Sequence, residues 1–491
     1  MQMLEYILFG PFIFALIILL IPKEKSRIIM PVSAFLSVIH FILSLYLFFN
    51  FDETNRGFQF VINKKWLNPG INFHIGIDGV SLLLILLTTF LFPIAFFASF
   101  KSITKKQKGF AISMFLLEGG IIGVFVSLNL LLFYIFWEIM LIPMYFIIGI
   151  WGSKNRIYAS FKFVLYTMAG SLLMLLAIIF YFKSAGGVSF ELTDWLSKGP
   201  LPDHIQGWLF LAFALAFMIK IPLFPFHTWL SDAHTEAPTA GSIILAGVLL
   251  KMGVYGFIRF ALPLFPYILL QYRELLIILS IIGIIYGGFM ALAQKDMKRL
   301  VAYSSVSHMG IIMLGFLVLN KEGFTGAIYQ MLNHGLSTGA LFLLVGILYE
   351  RTHTRQIADY GGVAKLMPIY SAFFMLVMFS SAGLPGLNGF IGEFMILWGT
   401  FEFKKILAVF AGTGIIIGAA YLLWMYRRVM QGPVKQTIKE KLVDLNIREI
   451  LVLIPIIILI IWMGVYPSTF TNKITVPVSI QKYIMTIKGD R

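Results

Sequence analysis

Apolar runs of about 20 residues recur along almost the whole of this 491-residue chain, separated by short polar or Gly/Pro punctuation. A helix needs about that many residues to cross the hydrocarbon core of a bilayer. Roughly fourteen such runs are predicted, near residues 4–22, 29–50, 77–100, 110–127, 130–151, 161–183, 206–226, 239–262, 273–293, 299–319, 324–349, 368–400, 407–429 and 449–467. In lipid only helices and closed barrels satisfy every backbone group, and runs of this length are helices. The sequence therefore specifies an all-α polytopic membrane protein.

The chemistry open to the chain is narrow. It has no cysteine, which excludes disulfides, thiolate nucleophiles and cysteine-ligated iron–sulfur clusters. Any redox cofactor is expected on a partner, and this chain is expected to hold no cofactor and no metal. Hydrophobic residues make up 59% and charged residues 12% of the sequence. The formal net charge of +15 reads as loop charge that orients a membrane protein, so no nucleic acid is expected as a partner.

The first run carries Glu5 and is followed by Lys23, Lys25 and Arg27, the pattern of a retained span. With those three cations on the cytoplasmic side, alternate loops place there Lys101, Lys105, Lys106, Lys108, Lys154, Arg156, Lys295, Lys298, Arg299, Arg351, Arg355, Lys365 and the basic group from Arg427 to Arg448. Most of the 38 basic residues then lie on one side, and both termini are predicted outside. Lys162, Lys220 and Lys251 remain inside predicted spans.

Ionisable residues within the spans carry the functional signal. Glu118, Glu138, Lys220, Lys251 and Glu393 fall inside apolar runs, as do His308 and His334. A charge at mid-membrane costs about 2.5–3.5 kcal/mol, so five lipid-facing charges would cost on the order of 12 kcal/mol. They must face one another or water. Glu, Lys and His are the groups whose proton affinity burial and neighbouring charges tune, and a row of them reads as a proton relay. The alternative is a set of buried pairs that fixes helix register.

Helix-breaking residues sit beside two of these groups. Lys220 is followed by Pro222 and Pro225, and Gly383, Pro385 and Gly386 interrupt the twelfth run before Glu393. Broken helices at membrane depth mark binding sites in transporters built from inverted repeats. Two inverted five-helix repeats, 110–262 and 273–430, are expected, each with its broken helix fourth. Three N-terminal helices (1–109) would precede them, and a last helix with a tail (449–491) would follow.

Other clusters carry less. His227, Asp232, His234 and Glu236 do not match a zinc spacing, and Asp232–Pro238 reads as a loop near the cytoplasmic mouth. Asp78, at the outer end of a span, reads as a helix cap or an exit-path acid. Lys162 reads as an interfacial anchor or a relay member.

The strings FYIFWEIMLIPMYFIIGIWG (133–152), KIPLFPFHTWLSDAHTEAPTAGSIILAGVLLKMGVYG (220–256), SSVSHMG (304–310) and LPGLNGFIGEF (384–394) resemble the antiporter-like membrane subunits of respiratory complex I, the proton-translocating NADH:quinone oxidoreductase. The resemblance covers nearly the whole chain. Glu393 stands where several sister chains and the multisubunit sodium/proton antiporters have lysine, and no long lateral helix follows the last span. The resemblance implies that Glu138 and Lys220 form an interacting pair, that Lys251 is the central relay lysine, that His308 and His334 carry the proton onward and that Glu393 is the terminal acid. It also implies sister antiporter-like subunits on either side, FMN, iron–sulfur clusters and quinone on partner subunits, and an energy-transducing membrane, here a bacterial inner membrane. A sodium/proton antiporter subunit, a ferredoxin- or hydrogenase-linked relative and a membrane scaffold remain as alternatives.

Overall fold

A computed structural model describes residues 3–67, 70–197 and 201–474. The predicted C-terminal tail beyond residue 474 lies outside the described residues. The described residues are mostly helical, and among them twelve helices are long and apolar enough to cross a membrane. In chain order these are α1 (Met3–Leu20), α2 (Ile29–Phe49), α3 (Gly79–Ser102), α4 (Gln107–Val126), α5 (Leu130–Trp151) and α6 (Arg156–Ser184). The pair α7 (Asp203–Lys220) and α8 (Thr228–Glu236) follows, then α9 (Thr239–Leu264), α10 (Pro266–Leu292), α11 (Met297–Leu317) and α12 (Lys321–Thr352). The pair α13 (Pro368–Ser381) and α14 (Asn388–Phe403) leads into α15 (Lys405–Met430) and α16 (Ile447–Val465).

The apolar runs predicted at 206–226 and 368–400 are where continuous helix fails. In the first, α7 stops at Lys220, and Pro222 and Pro225 precede α8. In the second, α13 ends at Ser381 and α14 begins at Asn388. Gly383 and Gly386 turn the chain between them with φ of +75° and +89°, a region that residues with a Cβ enter at a cost. The sequence reading did not foresee one element. Residues 59–77 form an antiparallel hairpin of β1 (Gln59–Leu67) and β2 (Ile71–Ile77) ahead of α3. It is held by His74 of β2, whose ring bonds the Glu191 carboxylate; Glu191 also accepts from Asn129 at 2.9 Å.

Burial separates the helices into two groups. In α9, α11 and α12 every residue of the apolar window is buried within the chain, whereas α1, α2, α6 and α16 bury 39% and α15 only 28% of theirs. The first three are central and the others present apolar flanks outward, as a bilayer permits. Close approach at the centre needs small residues. A Cβ on Gly247 of α9 would lie 2.4 Å from a Leu91 carbon, and one on Gly335 of α12 would lie 2.8 Å from the Gly247 carbonyl. The α9 ladder loosens into π turns at Leu245–Leu249 and Phe257–Ala261, on either side of Lys251.

Candidate functional site

One ionisable residue from each of the three central helices meets the others. Lys251 of α9 is fully buried, and its Nζ donates to the Ala246 carbonyl in the adjoining π turn. The same Nζ lies 2.6 Å from Nδ1 of His334 on α12. The His334 ring faces His308 of α11 edge to face, with centroids 5.6 Å apart. His308 Nε2 is 3.7 Å from Oε1 of Glu393, which follows the break in α13–α14. Lys251, His334, His308 and Glu393 thus form one file across four helices.

Polar groups hold the far end of the file. Gln330 Nε2 donates to Glu393 Oε1 at 3.2 Å, and Asn333 Nδ2 donates to Gln330 Oε1 and to the Asn388 carbonyl, each at 2.8 Å. A small polar cavity lies here, lined by His308, Gln330, Asn333, His334, Ser337 and Ser380. Nδ1 of His308 and Nε2 of His334 are buried without a direct hydrogen-bond partner. Gly383 is required twice: its φ is positive, and a Cβ there would come within 2.7 Å of Glu393 Oε2.

At the other break Lys220 is buried at the end of α7. Its Nζ lies 3.4 Å from Met140 Sδ and over the rings of Trp137 (5.5 Å) and Phe163 (5.6 Å). Glu138 of α5 is half-buried, with Tyr134 as its hydrogen-bond partner, and its charge is the one that acts on Lys220. The two are held apart, for among the described residues Lys220 enters no direct ion pair. His234 of α8 stacks on Phe342 with centroids 4.5 Å apart, and among the described residues both its buried ring nitrogens lack a hydrogen-bond partner. The neighbouring residues disperse: Asp232 pairs with Lys162 at 2.7 Å and Arg299 at 3.2 Å, while Glu236 accepts from the Asn155 backbone. Among the described residues no group of three or more His, Cys, Asp or Glu side chains is placed to hold a metal ion.

Glu118 of α4 stands apart from the file and pairs with His40 of α2 at 2.7 Å. Sequence reading left His40 among the residues of an ordinary span. Arg259, too, is a buried charge within α9, beyond the three lysines that the topology count left inside spans. It pairs with Asp78 at 2.7 Å, and Asp78 also caps α3 by accepting from the Ser81 backbone at 2.9 Å. A charge one span away is visible to a sequence scan, but its partner is not.

Fold and site together define a polytopic helical membrane protein with an internal file of ionisable side chains. A profile of the NADH:quinone oxidoreductase/Mrp antiporter transmembrane family matches residues 127–418. The chain is 45% identical over 481 residues to NADH-quinone oxidoreductase subunit M of Rickettsia conorii, covering 96% of this chain and 97% of that protein. Its fold matches a chain of respiratory complex I from Thermus thermophilus with a TM-score of 0.89 at 33% identity, over 97% of this chain and 99% of that one. It also matches a chain of the archaeal membrane-bound sulfane sulfur reductase, with a TM-score of 0.85 at 25% identity, over 96% and 77% of the two chains. The chain belongs to the NADH:quinone oxidoreductase/Mrp antiporter family and, within it, to the subunit M group of complex I. It is accordingly an integral protein of an energy-transducing membrane.

Proposed function

We propose that this chain carries protons across the membrane as a subunit of an NADH:quinone oxidoreductase, through Glu138, Lys220, Lys251, His334, His308 and Glu393, with Glu118 as an associated site. The observation that carries this reading is the buried file from Lys251 to Glu393. Its members are all acids or bases that hold a proton reversibly, and a small cavity is lined by both histidines.

The Glu138–Lys220 pair supplies the switch. A carboxylate brought to about 4 Å from the ammonium stabilises it by about 4 kcal/mol at an effective dielectric near 20, and moving it away favours release of the proton to the next base. Lys220 without a direct ion pair corresponds to the separated arm of that switch. Moving one charge against 100 mV requires about 2.3 kcal/mol, so the pair is strong enough to gate the step. The energy comes from redox chemistry at FMN, iron–sulfur clusters and quinone on partner subunits, and sister antiporter-like subunits flank the chain. The spans 110–262 and 273–430 act as inverted repeats, each with one of the two broken helices, between the N-terminal helices 1–109 and the C-terminal segment 449–491. Loop charge supports a bacterial inner membrane with both termini on the outer side.

The test is gentle extraction of the tagged chain, with particle mass, visible absorbance and NADH-to-quinone activity read on one sample. A large coloured active particle supports the complex. A small colourless one exchanging protons for sodium would replace this reading by the antiporter.

A further inference from the structure

Glu118 and His40 are both buried and both in predicted spans, and among the described residues neither forms a hydrogen bond or ion pair with a member of the Lys251–Glu393 file. His40 Nε2 lies 2.9 Å from the Ile7 carbonyl, and His40 Nδ1 lies 2.7 Å from Glu118 Oε1. A carbonyl only accepts, so Nε2 must carry a hydrogen. A 2.7 Å contact between Nδ1 and Oε1 also requires a proton, because two lone pairs would repel at that distance. The pair therefore always holds one shared proton and is neutral in total. The same proton sits either on the imidazole beside a carboxylate or on the carboxyl beside a neutral ring.

One acceptor in the pair remains open. Glu118 Oε2 is buried and, among the described residues, has no hydrogen-bond partner. A second proton binds there, giving a carboxylic acid beside an imidazolium and a total charge of +1. A lone glutamate would instead cycle between −1 and 0. The helix that bears Glu118, α4, packs on Met140, which contacts Lys220. Two residues on, Gly120 is so close to Met140 that a Cβ would lie 3.0 Å from the Met140 Cβ, and Met140 Sδ is the atom that Lys220 Nζ contacts.

We propose that His40 and Glu118 act as one proton-loading unit whose charge runs from 0 to +1, with His40 as the positioning residue that sets this charge and Glu118 Oε2 as the site that takes the proton. This rests on the proton-carrying reading above. When loaded, the unit carries a positive charge on the His40 imidazolium, beside the helix α4 whose Gly120 packs on Met140 next to Lys220, and favours proton release from that ammonium. When unloaded it is electrically silent, as a lone carboxylate is not.

The experiment uses the whole complex in sealed vesicles, with assembly, NADH-to-quinone turnover and protons moved per NADH measured for His40→Gln, Glu118→Gln and both together. Glutamine at position 40 can still bond the carboxylate but cannot carry the proton. Each single change is expected to lower protons per NADH several-fold in assembled complex, and the double change is expected to match the worse single one, since both remove one unit. Multiplicative losses, or an unchanged proton yield in His40→Gln, would overturn the proposal. If His40→Gln fails to assemble, His40→Asn takes its place; failure of both while Glu118→Gln assembles would mark His40 as structural and also overturn it. Lys220→Met is run in parallel. If that change too leaves pumping intact, the relay reading itself has failed; if it abolishes pumping while His40→Gln does not, only the proposal about His40 has failed.

Discussion

The Lys251 ammonium nitrogen and Nδ1 of His334 lie 2.6 Å apart at the centre of the chain, although the residues are 83 positions apart in sequence. His334 Nδ1 must accept when Lys251 is charged, so Nε2 carries the hydrogen and points onward into the polar cavity shared with His308.

Replacing Lys251 with methionine keeps the length of the side chain and removes the proton. Proton transport coupled to NADH oxidation is expected to fall at least ten-fold while the complex still assembles, because an apolar side chain is tolerated better in a buried helix than an unpaired charge. Vesicle acidification at matched electron-transfer rate is the measurement; acidification at the unaltered level would remove Lys251 from the pathway.

Glu138→Gln and Lys220→Met probe the two arms of the switch independently. Both are expected to uncouple pumping strongly, and the double variant is expected to be no worse than either single one, as for groups that act as a pair. A proton stoichiometry and rate equal to the unaltered complex in Glu138→Gln would sink the switch, whatever the lysine variant does.

Gly383→Ala tests the second break without replacing an ionisable residue. Alanine is disfavoured by about 1–2 kcal/mol at positive φ, and its Cβ would press on Glu393 Oε2 from 2.7 Å. The expected result is an assembled complex with reduced pumping, because Glu393 is pushed from His308 and Gln330. Normal proton yield in this variant would show that the position of Glu393 is not critical.

The Asp78–Arg259 pair is expected to be structural. Removing one partner leaves a buried charge uncompensated, which typically costs about 3–5 kcal/mol. Asp78→Asn and Arg259→Met should therefore each lower the yield and thermal stability of the complex, and the double change should restore much of the loss. Thermal dissociation followed by particle mass gives the comparison. Single variants as stable as the unaltered complex would show the pair to be dispensable.

What the sequence alone determined is what depends on local order along the chain. Apolar runs long enough to cross a bilayer dictated helical membrane architecture, and Pro222, Pro225 and the Gly383–Gly386 stretch marked where helices stop. The cost of a charge in lipid singled out Glu118, Glu138, Lys220, Lys251 and Glu393. The family strings added an order of roles. The hairpin at 59–77 escaped notice because its strands lie between spans, where hydropathy says little. Only the tertiary structure decided who faces whom. The central helices α9, α11 and α12 are buried over the whole of their apolar windows, so no polar stripe tells which side turns inward. His334 against Lys251, His40 against Glu118 and Arg259 against Asp78 are set by helix rotation and by close approach at glycines such as Gly247 and Gly335. Those choices are made by packing between segments distant in sequence, and hydropathy read along one segment does not contain them.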